Sequence, residues 1–253
     1  MCIKINTLWS AHDSPSEPII VLASHDGWSF EPSREILGIM SQRNLSITDK
    51  LLVGADQALR TVFAPSAAGR RKSPAGDTQE KKLPEDERRH AAGLMRVNHS
   101  GEIAAQALYH GQALTARLDD VRDAMEKAAE EENDHLAWCE KRVSELGSRT
   151  SLLNPIWYAG SFALGAVAGL AGDRWSLGFV AETERQVVRH LEEHLERLPK
   201  DDVKSRRILE QMKQDEMRHG EAAARAGGRD LPRPLKELMR LTAKIMTQSA
   251  YRL

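Results

Sequence analysis

Cysteine is almost missing from this 253-residue chain, with Cys2 and Cys139 the only two. That excludes a disulfide framework and fits a reducing compartment. Aromatic residues reach only 5% and β-branched runs are few, which argues against a sheet-based fold. An excess of one charge is also missing. Lys+Arg number 36 and Asp+Glu 37, a net charge of −1, so bulk electrostatics do not point to nucleic acid. No sustained apolar core follows Lys4, and acids arrive by Asp13 and Glu17, so the start does not read as a secretory leader. Arginine is absent before Arg34, which argues against a mitochondrial transit peptide. What abounds is Ala, Leu, Glu, Arg and Lys, the composition of helices.

Four regions are expected. Residues 1–45 show no helical period and read as a loosely ordered appendage. Ile19-Ile20-Val21-Leu22 is a candidate short strand there, and Met40 a candidate alternative start. Residues 46–63 read as a helix, capped by Ser46-Ile47-Thr48-Asp49 and stopped before Pro65. Residues 64–85, rich in Pro, Gly and Ser, read as a linker or surface loop. Residues 86–253 form the main body, all-α. Its amphipathic helices are expected from about Asp86, over Asp119–Leu146, Trp175–Leu198 and Asp201–Ala226, with one more after Pro234.

Between Arg149 and Asp173 no residue is charged. Such a stretch is buried in protein or in lipid. Pro155 and several glycines favour a buried crossover helix that brushes a membrane over a true span. Gly165-x-x-x-Gly169 permits close helix packing. The last helix carries Leu235, Leu238, Met239, Ile245 and Met246 on one face, and six basic residues follow from Arg229 onward. It suits either an anionic membrane surface or a last packing position.

Glu132-Asn133-Asp134-His135 and Glu216-Met217-Arg218-His219 each place a carboxylate and an imidazole one helical turn apart. A single such pair reads more readily as a solvated helix contact. Two pairs, each preceded by a glutamate at similar distance, read differently. Glu102 lies 30 positions before Glu132, and Glu184 lies 32 before Glu216. All four glutamates fall on the apolar stripes of their helices. Buried carboxylates must take up protons or find cations. Four carboxylates carry −4, two divalent ions carry +4, and two imidazoles complete the ligand set. Glu, Glu-x-x-His, Glu, Glu-x-x-His is the ligand order of di-iron and di-manganese carboxylate bundles. Oxygen and imidazole ligands without required thiolate suit iron or manganese over structural zinc. Cys139, one turn beyond His135, reads first as a core thiol. His110, His190 and His194 are further candidates. His190 falls off the Glu184 stripe, which suits a supporting or surface role. Glu182 competes with Glu184 but is turned about 160° away from the stripe.

Met95-Arg96-Val97-Asn98-His99-Ser100-Gly101-Glu102, Glu131-Glu132-Asn133-Asp134-His135-Leu136 and Asp215-Glu216-Met217-Arg218-His219 resemble the demethoxyubiquinone hydroxylases of ubiquinone biosynthesis. The resemblance runs from about Leu83 to the C-terminus. It implies a ferritin-like four-helix bundle with a long apolar crossover helix and an extra C-terminal amphipathic helix. It implies a di-iron monooxygenase that hydroxylates the ring of a polyprenyl demethoxy-quinol with O2 and two electrons. Two iron ions (Fe2+/Fe3+) would be held by Glu102, Glu132, His135, Glu184, Glu216 and His219, with no catalytic residue beyond these ligands. A peripheral position on the cytoplasmic side of the cell membrane is implied, alone, as a homo-oligomer or in a quinone-biosynthesis complex. The electron donor stays unidentified. The competing readings are a ferritin-like iron oxidase or peroxidase and a non-catalytic membrane-associated scaffold.

Overall fold

The computed structural model describes residues 23–24, 27–28, 46–64 and 71–253. Two short strands, Ala23–Ser24 (β1) and Gly27–Trp28 (β2), pair antiparallel with Ala23 opposite Trp28. The Ile19–Leu22 run and Met40 lie outside the described residues.

From Ile47 onward the described residues fold into seven helices. They are α1 (Ile47–Phe63), α2 (Glu85–Thr115), α3 (Asp119–Glu145), α4 (Asn154–Leu170), α5 (Asp173–Arg197), α6 (Val203–Arg225) and α7 (Arg233–Arg252). The all-α expectation is met. Helix α2 packs against α3, α4 and α7, and α5 packs against α6. Helix ends follow local chemistry. Gly147, at φ +68°, takes the left-handed turn that closes α3, and the Ser148 N–H reaches back to the Val143 carbonyl. Asp202 caps α6 by accepting from the Ser205 N–H at 2.9 Å.

Two apolar clusters fill the bundle α2–α3–α5–α6. One contains Leu94, Met95, Trp138, Leu191, Leu209 and Met212. The other contains Tyr109, Val121, Met125, Val180 and Ala223. On every helix the glutamate lies between the two: Glu102 between Met95 and Tyr109, Glu132 between Met125 and Trp138, Glu184 between Val180 and Leu191, Glu216 between Met212 and Ala223. The carboxylates thus form a polar layer with apolar residues along each helix on either side.

The crossover is Asn154–Leu170, and it differs from expectation. Only one face is covered, with Tyr158, Gly165 and Gly169 buried. Ile156, Leu164, Val167 and Leu170 are exposed. The covered face touches α2 almost backbone to backbone. A Cβ on Gly165 would lie 2.1 Å from the Leu108 carbonyl oxygen, and one on Gly111 2.2 Å from that of Phe162. No helix among the described residues is long and apolar enough to cross a membrane. Helix α7 also leaves Leu238, Leu241 and Ile245 exposed.

The close α2–α4 contact yields a direct test. Gly165→Ala forces the helices apart and should lower stability by about 1–3 kcal/mol in denaturant unfolding. An unchanged unfolding midpoint would contradict the observed packing.

Candidate metal centre

All four glutamates are buried, and each comes from a different helix. His135 is fully shielded, while His219 keeps slight exposure. The two imidazoles face the carboxylates in the same way. His135 Nδ1 lies 2.9 Å from Glu132 Oε2, 3.1 Å from Glu216 Oε1 and 3.6 Å from Glu102 Oε2. His219 Nδ1 lies 3.2 Å from Glu216 Oε2 and 3.3 Å from Glu132 Oε1. Glu132 and Glu216 therefore each approach both imidazoles. Glu102, Glu132, His135 and Glu216 offer ligand atoms all within 4.8 Å of one another, a group fit to hold a metal ion. Glu184 and His219 lie outside this four-residue group. His219 reaches it through Glu132 and Glu216, and Glu184 accepts a hydrogen bond from the Tyr109 hydroxyl.

Each imidazole is also held from behind at Nε2. Asp215 does this for His135 at 3.0 Å, and Glu131 for His219 at 2.8 Å. A carboxylate on the outer nitrogen fixes the ring and directs Nδ1 inward, the usual support for a metal-ligating histidine. Arg71 braces Asp215 at 2.7 Å and Asp134 at 2.6 Å. Its guanidinium also lies over the Trp138 ring. The segment between α1 and α2 thus contributes to the site, and Ala75 and Leu83 from it are buried. Periodicity could not find Arg71, because it sits on irregular backbone. Asp215 and Tyr109 each share a helix with a predicted ligand, but their partners become visible only in three dimensions.

The two candidates on α5 part company. Glu182 is buried as well, but it meets Arg185 at 3.1 Å and Lys236 at 3.6 Å. Glu184 meets Tyr109 inside the bundle. Cys139 is buried beside Met212, so the core-thiol reading fits.

Residues 89–250 match the family described as ubiquinone biosynthesis protein COQ7. The chain belongs to this family. All six predicted residues lie inside the matched span. The chain is 58% identical over 212 residues to a 3-demethoxyubiquinol 3-hydroxylase of Nitrosococcus oceani, covering 84% of this chain and 99% of the relative. It is 59% identical over 213 residues to the enzyme of that name from Stutzerimonas stutzeri, with the same coverage. Among solved structures it is similar to a dodecameric thioferritin, the bacterioferritin-related protein of Bacteroides fragilis. That likeness has a TM-score of 0.47 and 19% identity over 64% of this chain and 92% of the other.

The COQ7-family residues carry an unusual charge pattern. Burial pushes the Glu102 carboxyl well above the ordinary carboxylate range, and Glu132 and Glu216 add to the effect. Burial does the same to Glu184, with Glu216 and Glu132 again adding. Glu132 goes the other way. Burial opposes its charge, but His135 and His219 outweigh burial and hold it low. Burial likewise opposes charge on the imidazoles, and the carboxylates win. His135 is held well above its ordinary range, and His219 is raised to about 11. Burial thus favours uncharged Glu102 and Glu184, and the carboxylates favour charged imidazoles, in the metal-free protein. Buried Glu132 Oε1 makes no hydrogen bond among the described residues, and its neighbour at 3.3 Å is His219 Nδ1. Carboxylate oxygens and imidazole nitrogens gathered this closely are a donor set that fits a cation.

A cation must displace protons from these groups, because metal ligands bind deprotonated. Because these groups hold their protons above their ordinary ranges, affinity must rise with pH. Anaerobic calorimetry with Fe2+ should show proton release, as heats that vary with buffer ionisation enthalpy, and tighter binding at about pH 8 than at about pH 6. Heats independent of buffer would contradict the protonation pattern.

Proposed function

We propose that this chain is a di-iron hydroxylase that adds oxygen to the ring of a demethoxyubiquinol-type polyprenyl quinol. The observation that carries this reading is the buried four-glutamate, two-histidine layer at the end of a large cavity. Two iron ions would be held by Glu102, Glu132, His135, Glu184, Glu216 and His219. Bound iron supplies O2 reduction and the oxidising equivalent for ring hydroxylation. The chain's own residues do the rest. Asp215 and Glu131 fix the two imidazoles, Tyr109 holds Glu184, and the apolar clusters keep water from the layer.

The cavity supports the choice of substrate. Its volume is about 1090 Å3, and it runs between α2, α4, α5 and α7. Glu102, Glu184 and Glu216 line one part, and Leu164, Leu238 and Met239 line another. Leu164 and Leu238 are also exposed, so the apolar lining continues onto the surface. The half-covered α4 and the basic α7 suit docking on an anionic bilayer, from which an isoprenoid tail could reach the cavity without crossing water. A ferritin-like iron oxidase has no use for such a cavity. Helices α4 and α7 act in this reading as a membrane-facing mouth, with the protein peripheral to the bilayer.

Quinone profiling of cells lacking the protein tests the reading. Demethoxyubiquinone should accumulate, wild-type protein should clear it, and Glu132→Ala should leave it in place. A normal ubiquinone pool in those cells would refute it.

A further inference from the structure

The cavity contains a second polar feature, separate from the carboxylates. Three residues in its wall each carry a side-chain atom that is shielded from water and has no hydrogen-bond partner among the described residues. The atoms are Trp157 Nε1, Thr183 Oγ1 and His190 Nε2. Buried polar atoms are nearly always paired, so three orphans in one cavity call for a ligand. Thr183 and His190 are seven residues apart on α5, two turns along one face. Trp157 belongs to α4, another wall of the same cavity. Thr183 directly precedes Glu184, so this polar strip begins beside the carboxylate layer.

We propose that Thr183, His190 and Trp157 hold the oxygen substituents of the substrate ring and so set which part of the molecule faces the carboxylates. The assignment rests on the quinol reading above and adds the residues that recognise the ring.

The donor types fit such a ring. An indole N–H only donates, so Trp157 needs an oxygen acceptor such as a methoxy or ring oxygen. A threonine hydroxyl donates and accepts, which suits a quinol hydroxyl in either sense. A neutral imidazole can likewise offer or receive a proton at Nε2. Burial, with help from Arg197, holds the His190 pKa down at about 4, so the ring is neutral. The neighbouring His194 ring lies 3.9 Å away between centroids, and its Nδ1 pairs with Asn98 Oδ1 at 3.0 Å. That contact packs His190 against a ring that is itself anchored to α2. An isoprenoid tail offers none of these partners. The three atoms therefore discriminate the ring from the tail and from any plain hydrocarbon.

Binding to the metal-free full-length protein in detergent tests this without turnover. Two probes are needed: a methoxylated benzoquinol with one isoprene unit, and a benzene with the same tail and no oxygens. Thr183→Val, His190→Phe and Trp157→Phe should each weaken quinol binding by about tenfold. Their affinity for the oxygen-free probe should stay at the wild-type value, and His190→Gln should retain most of the quinol affinity. Equal losses for both probes, or no loss in any variant, would overturn the assignment while leaving the quinol reading intact. Failure of the wild-type protein to bind the quinol would overturn both.

Discussion

Four carboxylates in a dry layer impose the dominant constraint on this structure. None of Glu102, Glu132, Glu184 and Glu216 reaches bulk water. Their charge must be balanced inside the bundle, by protons or by metal ions. The two apolar clusters are interrupted at this layer on every helix of the bundle. Burial there costs stability that an all-apolar layer would not, which is the pattern of a site retained for chemistry.

The support for the layer is organised as two similar halves. Each half presents one imidazole Nδ1 inward and holds its Nε2 from outside with an acid, Asp215 in one case and Glu131 in the other. The halves are not equal. Asp215 is buried and braced by Arg71, whereas Glu131 is half exposed and faces the surface with His219. The His219 side of the layer is therefore the wetter one. The cavity reaches Glu102, Glu184 and Glu216.

Much of this was legible in the sequence because helices repeat. The i, i+3 spacing of Glu132 and His135, and of Glu216 and His219, survives any detail of packing. The apolar stripes put the glutamates inward, and the turn of the α-helix chose Glu184 over Glu182 as the residue facing the other carboxylates. The same logic left His190 off the Glu184 face, yet the residue lines the cavity that α5 shares with α2, α4 and α7. Arg71 was invisible, since its segment has no period to read. The crossover helix was misjudged in one respect. Apolar composition cannot say how many faces are covered, and glycine-mediated contact with α2 covers only one. The clustering of the four glutamates and two histidines was thus readable from spacing, while the open apolar faces of α4 and α7 became visible only in the fold.

The central claim is that the buried charge exists to hold two metal ions. Anaerobic titration of the purified protein with Fe2+, followed by Mössbauer spectroscopy, addresses it most directly. About two ions per chain are expected, as in other bundles with this ligand order, and Glu132→Ala should abolish the coupled pair. Binding near zero, or an undiminished signal in Glu132→Ala, would contradict the account.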